Sequence, residues 1–245
     1  MTIKTIASCS FGKDSMAAII THIKHGGKVD LALYAKIMFD DTLSAEFPEH
    51  EEWIHKVAIP KLEKDWGVST KIVQGDSTYK DRFYRKYGKG EKIGRIYGFP
   101  LLIGPWCNSC LKVGPIEKNK KKLGEIKEII GIAYDEPNRM RSKRGDSNTI
   151  LPLVEHKITQ EQSFEIARVA GLLSPAYRGG TKRLGCWFCH NQRVGELRKL
   201  RCEYPKLWNI LLELDQDSPT KFTSTLTVVE YEERFAMEDR QLKLF

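Results

Sequence analysis

Four of the six cysteines in this chain fall into two C-x-x-C pairs. The pairs are "CNSC", with Cys107 and Cys110, and "CWFC", with Cys186 and Cys189. A C-x-x-C turn places both sulfur atoms on one side of the backbone, so two pairs that meet in the fold would offer a four-thiolate site. Such a site binds Zn²⁺ or an iron–sulfur cluster. The spacing therefore predicts a metal centre, and unrelated buried cysteines are the alternative.

The other two cysteines, Cys9 and Cys202, stand alone in the sequence. A reducing cytosol does not favour a disulfide framework, so we expect free or metal-bound thiols rather than bridges. We expect Cys9 to pack as a small apolar group and Cys202 to lie on a helix. Cys189 and His190 also complete the C-x-x-C-H string of c-type haem attachment, an interpretation that requires a secreted protein.

A second concentration of reactive side chains is the loop "SFGKDS", between a β-rich segment and the helix-like "MAAIITHI". The N–H groups and the positive dipole end at the start of a helix form a seat for an anion. The glycine permits close backbone approach, the lysine supplies a point charge, the serines offer hydroxyl donors, and the aspartate can cap the helix or hold Mg²⁺. The loop lacks the GxxxxGK[ST] frame of a Walker A motif. A phosphate seat is predicted, and a Ser-rich helix cap is the alternative.

Charged residues also follow two later strand-like segments, "LALYAKIMF" and "EIKEIIGIAY". Ligands of open α/β sheets bind at the carboxyl ends of the strands, so these residues are expected to line a site. Carboxylates there suit Mg²⁺ or a ribose, and arginines can clamp a phosphate or sulfate. The candidates are Asp41, Asp135, Glu136, Arg139 and Arg141. A solvated charged loop is the alternative.

The elements that must position these residues alternate along most of the chain. Strand-like runs such as "TIKTIASCS" and "VSTKIVQG" are interleaved with helical patterns such as "DSMAAIITHIKHGG" and "PEHEEWIHKVAIPKLEKDWG". This alternation predicts an α/β fold with a doubly wound, mostly parallel sheet. The basic, aromatic stretch 79–104 is expected to be a loop or lid. The predicted domains are an α/β domain at 1–170, a metal-binding helical extension with the later cysteine pair at 171–235, and a tail at 236–245.

Several segments, in order, resemble one protein family. "SFGKDS" is similar to the S-G-G-x-D-S PP-loop of the N-type ATP pyrophosphatase superfamily, with Phe11 in place of the first glycine. "FDDTLSAEFPEH" resembles the D-T-G…E-F-P stretch of its phosphoadenosine phosphosulfate (PAPS) reductase branch, with Leu43 where glycine is usual. "PWCNSCLKVGPIE", "GIAYDEPNRMR", "ILPLVEH" and "GCWFC" are similar to its W-C-C…K…P-L, G-I-R-x-D-E-S…R, I-x-P-L and G-C-x-x-C segments. Together these matches cover most of 6–189.

This resemblance implies an adenine nucleotide alpha-hydrolase-like fold whose PP-loop grips the pyrophosphate of ATP or a related adenine nucleotide. It implies catalytic roles for Lys13, Asp14 and Asp41, with Mg²⁺ as cofactor. The implied nucleotide contacts are Ser10, Phe11, Gly12, Lys13, Asp14, Ser15, Asp41, Thr42, Asp135, Arg139 and Arg141. For the cysteines it implies a [4Fe-4S] cluster, although the family's first pair is Cys-Cys, so Zn²⁺ stays open.

The C-terminal part of the sequence bears on the reaction and on the binding partners. PAPS reductases carry a nucleophilic cysteine in a C-terminal E-C-G-L-H tail, whereas no cysteine follows Cys202 here, so a different sulfur or nucleotide reaction is expected. The final "QLKLF" resembles the peptide with which bacterial DNA enzymes dock into the sliding clamp, and the last turn of an amphipathic helix is the alternative. Its matching residues are Gln241, Leu242, Leu244 and Phe245.

The formal net charge of +8 is concentrated in a few loops, which favours a polyanionic partner, with simple solubility as the alternative. The basic stretches 82–95 and 139–144 could contact nucleic acid, with aromatic residues stacking on bases. No apolar run approaches the roughly 18 residues that span a bilayer, and no leader is evident, so a cytoplasmic protein without membrane contact is expected.

Three functions fit these observations. The first is a PAPS reductase-like PP-loop enzyme with a tetra-cysteine metal centre that acts in sulfur transfer or modification of DNA or tRNA. The second is a thiol-dependent reductase of PAPS or adenylyl sulfate. The third is a non-catalytic DNA-binding module that is recruited by the sliding clamp.

Overall fold

Strands and helices alternate through the fold, as the sequence pattern predicts. The computed structural model describes residues 3–100, 104–143, 145–181 and 183–242. The strands are β1 (Lys4–Cys9), β2 (Leu31–Ala35), β3 (Ser69–Val73), β4 (Ile126–Ile130) and β5 (Thr149–Ile150). The helices are α1 (Lys13–Lys24), α2 (Pro48–Trp53), α3 (Ile59–Trp66), α4 (Tyr79–Phe83), α5 (Gly114–Lys120), α6 (Pro137–Arg141), α7 (Pro152–Glu155), α8 (Gln160–Val169), α9 (Val194–Glu203), α10 (Pro205–Asp217) and α11 (Val228–Leu242).

The strands form one five-stranded sheet in the order β3-β2-β1-β4-β5, and every neighbouring pair is parallel. In the central strand β1, Ile6 pairs with Leu31 of β2 on one side and with Glu128 of β4 on the other. Burial on both faces explains why β2 reads as a short apolar run rather than as an alternating pattern, whereas β3 at the edge of the sheet is mostly exposed. The predicted doubly wound α/β fold is confirmed.

Contacts divide the chain into two compact units, each built from separate stretches of sequence. The first unit comprises Met1–Lys36, Glu46–Gly75 and Lys112–Leu184, and it contains the whole sheet. The second unit comprises Ile37–Ala45, Asp76–Leu111 and Gly185–Phe245. The domain boundaries drawn from the sequence remain a prediction.

Proline and glycine explain irregularities in the helices. A π-helical turn, Ile54–Ala58, joins α2 to α3, and a second, Asn108–Val113, precedes α5. A proline follows each turn by two positions, at Pro60 and Pro115. Because proline has no N–H to donate to the preceding turn, the helix widens there. Helix α3 ends at its C-cap Gly67, the last residue of the helical pattern "PEHEEWIHKVAIPKLEKDWG", and this glycine has the left-handed conformation at φ 65°.

The stretch expected to be a loop or lid has more structure than the sequence suggested. It begins with α4, whose first turn is closed by a capping box between Thr78 and Asp81. The chain then folds back on itself through bridges of Lys86 with Ile96 and Tyr87 with Ile93. No helix in the described ranges is long and apolar enough to cross a membrane.

Each unit has its own core. The core of the first unit is mostly aliphatic, with buried residues from the sheet and its helices such as Ile6, Ala18, Ile20, Leu62 and Ile129. Aromatic rings fill much of the core of the second unit: Phe39, Tyr79, Phe83, Phe99, Trp187, Phe188 and Phe222 are buried there. The Cys-containing C-terminal region of this unit is helical, with α9, α10 and α11.

Candidate functional site

The predicted phosphate loop joins β1 to α1, in the first unit. Gly12 is the last residue before the helix, and its carbonyl accepts hydrogen bonds from the backbone of Met16 at 3.1 Å and from the Ser15 hydroxyl at 2.8 Å. The Ser10 and Ser15 hydroxyl oxygens are 3.4 Å apart. The loop therefore brings its two serine hydroxyls together at the positive end of the α1 dipole, the arrangement expected of an anion seat.

Phe11 anchors the loop into the core. Its φ is 54°, a left-handed conformation that costs a non-glycine residue roughly 1–2 kcal/mol. The ring is completely buried and packs edge-on against Tyr34 at 5.0 Å and Trp53 at 6.5 Å between centroids. Burial of an aromatic ring offsets that strain. Phe11 thus adopts a positive φ, a conformation that favours glycine, and its side chain is buried in the core.

Lys13 and Asp14 form an ion pair at the start of α1. The Lys13 Nζ lies 2.6 Å from the Asp14 Oδ1, and the lysine side chain is buried. Burial raises the pKa of Asp14, and the hydrogen bond from Lys13 opposes that rise. Glu136 raises the same pKa further and Arg139 lowers it, so the loop that follows β4 lies within electrostatic range. The structure therefore brings one predicted arginine and the PP-loop-like residues together.

Gly131, at the end of β4, is a site residue that the sequence analysis missed. A Cβ on this glycine would lie 2.6 Å from the Asp14 carbonyl oxygen and 2.7 Å from the Ser15 nitrogen. Only a residue without a side chain lets the β4 end approach the α1 backbone this closely. The detectable signal was a glycine that directly follows a buried strand, in "EIIGIAY".

Tyr177 is a second missed residue. Its hydroxyl oxygen accepts a hydrogen bond from the Lys13 backbone N–H at 2.9 Å, so it occupies one of the N–H groups at the start of α1. Burial raises the pKa of Tyr177 well above its usual value, which keeps the phenol neutral. The ring packs edge-on against Phe164 of α8. No local motif marks Tyr177, because the two hydrogen-bonded residues are 164 positions apart.

The strand order explains why these residues converge. From β1 the chain adds β2 and β3 on one side of the sheet, and β4 and β5 lie on the other side. The order therefore reverses between β1 and β4, and open α/β sheets bind ligands outside the strand carboxyl ends at this topological switch point. The loop 10–15 follows β1, and Gly131, Glu136 and Arg139 follow β4.

Other predicted contacts have different surroundings. Asp135 accepts a hydrogen bond from the Gln160 backbone N–H at 2.9 Å, in the first turn of α8, and Arg141 lies exposed at the end of α6. Asp41 and Thr42 are exposed and belong to the second unit. Their turn is organised by Asp40, which accepts the backbone N–H of Thr42 and of Leu43.

A buried cluster of ionisable residues in the first unit was also missed. Burial raises the pKa of Glu46 to about 7, although Lys112 nearby lowers it. The Tyr34 hydroxyl donates to Glu46 at 3.3 Å, and the His50 Nε2 lies 3.8 Å from its other oxygen. Burial lowers the pKa of His50 to about 4, so this imidazole is neutral, and its Nδ1 lies 2.8 Å from the Ser174 hydroxyl. A carboxyl group that titrates near neutrality is equipped for proton transfer.

All four cysteines of the predicted metal centre belong to the second unit, and their thiols are reduced and half-buried. Burial, followed by the Cys189 thiol, raises the pKa of Cys107 to about 11, and Cys110 adds to this rise. The Cys107 thiol is therefore within electrostatic range of members of both pairs. The Tyr79 ring contacts one residue near each pair. It packs on Trp106, which directly precedes Cys107, and on Phe188, which lies between Cys186 and Cys189.

The four cysteines are of the right chemical type to ligate a metal, but their side chains are not arranged around a common metal position. In the described ranges, no group of three or more His, Cys, Asp or Glu side chains is arranged to hold a metal ion. Two buried donors beside the cysteines, the Tyr79 hydroxyl and the Trp106 Nε1–H, nevertheless have no hydrogen-bond partner among the described residues. Sulfur acceptors of a bound centre would satisfy them.

The other predicted features are the two lone cysteines, the C-terminal peptide and the basic stretch 82–95. Cys9 is buried, which raises the pKa of its thiol to about 12, and its sulfur accepts the Phe11 backbone N–H at 3.4 Å. Cys202 is exposed on α9. Gln241 and Leu242 end α11, and Leu244 and Phe245 lie outside the described residues. In the basic stretch 82–95, Arg85 lies 6.0 Å from the centroid of the Tyr97 ring.

Comparisons with known proteins find a distant sequence relative and a solved structure of low similarity. No model of a known protein family matches the chain. An uncharacterized protein of Methanocaldococcus jannaschii is 27% identical over 219 residues, which are 83% of this chain and 40% of that protein. The chain thus spans well under half the length of this relative. A PAPS reductase from Candida auris, solved as a phosphate complex, is 14% identical with a TM-score of 0.45 over 76% of this chain and 83% of that one.

The sheet of this chain is all-parallel and has helices beside it. The Ser10–Ser15 loop lies between the central strand β1 and the first helix.

Proposed function

We propose that the chain is a PAPS reductase-like PP-loop enzyme that binds an adenine nucleotide with its first unit and a tetra-cysteine metal centre with its second. The observation that carries the nucleotide site is the position of the Ser10–Ser15 loop at the switch point between β1 and β4. There the α1 dipole, a buried lysine and two hydroxyls converge, and each favours a phosphate group.

Lys13 is the main cation of the proposed site. Its ammonium group pairs with Asp14 at 2.6 Å, and a bound pyrophosphate would share that ammonium. Asp14 would then be available to Mg²⁺, whose preferred ligands are oxygens. Tyr177, which already accepts the Lys13 backbone N–H, can donate its own hydroxyl hydrogen to a phosphate oxygen.

Calorimetric titration with ATP and Mg²⁺ tests this site. Lys13→Ala should weaken ATP binding at least tenfold, since it removes a buried charge-assisted contact. Lys24→Ala is the matched control, because Lys24 lies in the last turn of the same helix and should leave the affinity unchanged. Equal ATP affinity of Lys13→Ala and the wild type would contradict the site. Pyrophosphate release in the presence of DNA or tRNA then tests adenylation.

The metal centre is proposed to be a [4Fe-4S] cluster ligated by Cys107, Cys110, Cys186 and Cys189, with Zn²⁺ as the alternative. A bound cluster supplies electron transfer or sulfur chemistry, whereas zinc would act as a structural link. Iron, acid-labile sulfide and zinc should be measured after purification without oxygen. About four irons and four sulfides per chain support the cluster, and one zinc without iron supports the structural site.

The acceptor is proposed to be a nucleic acid, DNA or tRNA. The formal charge of +8 supports this substrate class, as does the basic stretch 82–95, where Lys92 lies 5.8 Å from the centroid of the Tyr87 ring. The double variant Arg85→Ala, Lys92→Ala should lower the salt-dependence slope of binding by about two. Lys206→Ala, which removes an exposed charge of α10, is the control.

Docking to a bacterial sliding clamp through the C-terminal peptide is part of the same proposal. Leu244→Ala should abolish clamp binding, because this side chain is one of the apolar anchors of the motif. Retained clamp affinity in this variant would remove the clamp as a partner without affecting the nucleotide site.

A thiol-dependent reductase of PAPS or adenylyl sulfate is the second candidate. The exposed thiol of Cys202 favours it, because Cys9 is buried and its pKa of about 12 makes it a poor nucleophile. Sulfite release from PAPS with thioredoxin as the reductant, lost in Cys202→Ser, would support this reaction. The absence of sulfite from the wild type would exclude it.

A further inference from the structure

Tyr79 lies at the centre of the aromatic cluster that surrounds the cysteine pairs. Only 1% of the residue is exposed. Its ring centroid is 4.9 Å from that of Trp106 and 4.0 Å from that of Phe188. Trp106 directly precedes Cys107, and Phe188 lies between the two cysteines of the later pair. The phenol ring therefore packs between a residue next to the first pair and a residue inside the second.

The Tyr79 hydroxyl has no hydrogen-bond partner among the described residues, and neither has the buried Nε1–H of Trp106. A buried polar group left unsatisfied costs about 1–3 kcal/mol, so a neighbouring pair of such donors requires an explanation. Both are donors, and each belongs to a ring in contact with the other. Each of the two donors therefore calls for an acceptor.

The surroundings of the Tyr79 hydroxyl indicate what that acceptor is. After burial, the largest influences that raise its pKa well above the usual value are the Cys107, Cys186 and Cys189 thiols. The hydroxyl is thus within electrostatic range of three of the four cysteines of the proposed centre. Thiolates and inorganic sulfides are hydrogen-bond acceptors, and such bonds help to set the properties of a metal centre.

We infer that Tyr79 is a positioning residue whose hydroxyl donates a hydrogen bond to a sulfur atom of the cysteine-ligated centre, with Trp106 Nε1–H as a second donor. This inference rests on the metal centre of the proposed function. A donor to sulfur stabilises negative charge there, and a cluster is more negative after reduction. The Tyr79 hydroxyl therefore raises the reduction potential of a bound cluster, and its removal shifts the potential to more negative values.

The test compares the midpoint potential of the anaerobically purified wild type with that of Tyr79→Phe. Loss of the hydroxyl should make reduction about tenfold less favourable, a negative shift of about 59 mV for a one-electron step. Tyr97→Phe is the matched control, because it removes the same atom from a ring whose centroid lies 6.0 Å from the Arg85 guanidinium, and it should leave the potential unchanged. An exchangeable proton coupled to the reduced cluster should also be lost in Tyr79→Phe alone. An unchanged potential in a variant with full iron content would overturn the inference.

The metal content of the wild type separates failure of this inference from failure of the proposed function. If the wild type holds zinc and no iron, the cluster is excluded, and faster zinc release to a chelator from Tyr79→Phe than from Tyr97→Phe supports a bond to a thiolate. Equal rates overturn it. A wild type without any bound metal overturns both the metal centre and the role of Tyr79.

Discussion

The two units are stabilised in different ways. The first has a regular parallel sheet whose core is mostly aliphatic, and its order follows from buried strands and amphipathic helices. The second surrounds its cysteine pairs with aromatic rings, and side-chain and loop hydrogen bonds replace a sheet. Trp187, for example, donates its backbone N–H to the Ala45 carbonyl and its Nε1–H to the Ser44 carbonyl, both at 2.9 Å. Hydrophobic periodicity therefore predicts the strands and helices of the first unit, whereas the aromatic core of the second unit depends on individual long-range contacts.

Removal of a proposed metal ligand should have the largest effect, and it should be confined to the second unit. Cys186→Ser should lose the bound metal, whose binding contributes on the order of 10 kcal/mol to folding in small structural sites. The backbone amides of α4 and those around Trp187 should then exchange faster with solvent, while the amides of β1 and α1 stay protected. Cys202→Ser, outside the pairs, is the control. Unchanged protection in Cys186→Ser would show that the aromatic core alone holds the unit.

Substitution of Phe11 tests the anchoring of the loop in the first unit. Phe11→Ala should lower the free energy of unfolding by about 4 kcal/mol, because it empties a fully buried ring site. Phe11→Gly should be about 1 kcal/mol more stable than Phe11→Ala, since glycine adopts the positive φ without strain. Urea denaturation measures both. The opposite order of stability would mean that the loop relaxes out of the left-handed conformation.

Gly131→Ala tests the close approach between β4 and α1. The added Cβ would meet the Asp14 carbonyl at 2.6 Å, so we expect about 3 kcal/mol of destabilisation and weaker nucleotide binding. Gly88→Ala is the control, because no atom lies within 4 Å of its added Cβ and its φ is not positive. If the two variants are equally stable, the approach is not a constraint on this edge of the sheet.

Glu46→Gln should have the smallest effect and a distinctive pH dependence. Burial raises the pKa of Glu46 from 4.5 to about 7, so the folded state holds this proton more tightly than the unfolded state. The free energy of unfolding must therefore fall as the pH rises through that window. Glutamine keeps the acceptor for Tyr34 and has no charge to bury.

The variant should therefore match the wild type near pH 4 and exceed its stability by on the order of 2 kcal/mol at pH 8. The contribution of His50, whose pKa is lowered to about 4, is present in both proteins and cancels in the difference. Denaturation curves at several pH values measure this difference. A difference that does not vary with pH would contradict the raised pKa.

Much of the first unit could be predicted from local patterns. The buried strand β1, the helix α1 that follows the Ser10–Ser15 loop and the stop at Gly67 all lie where the sequence places them. Strands and helices are readable because side-chain periodicity and glycine conformation act over a few residues. The two cysteine pairs were visible for the same reason, since each C-x-x-C spacing is local.

The sequence by itself thus determined the α/β class, the position of the phosphate-seat loop and the candidate thiol ligands. Only the tertiary structure decided three contacts: the Tyr177 hydroxyl accepts the Lys13 N–H, Gly131 lets the α1 backbone approach β4, and Tyr79 packs on Trp106 and Phe188 beside the two cysteine pairs. These contacts join residues far apart in the chain, and no local pattern encodes them. They form because the strand order places β1 beside β4 and because large buried rings must pack closely against each other.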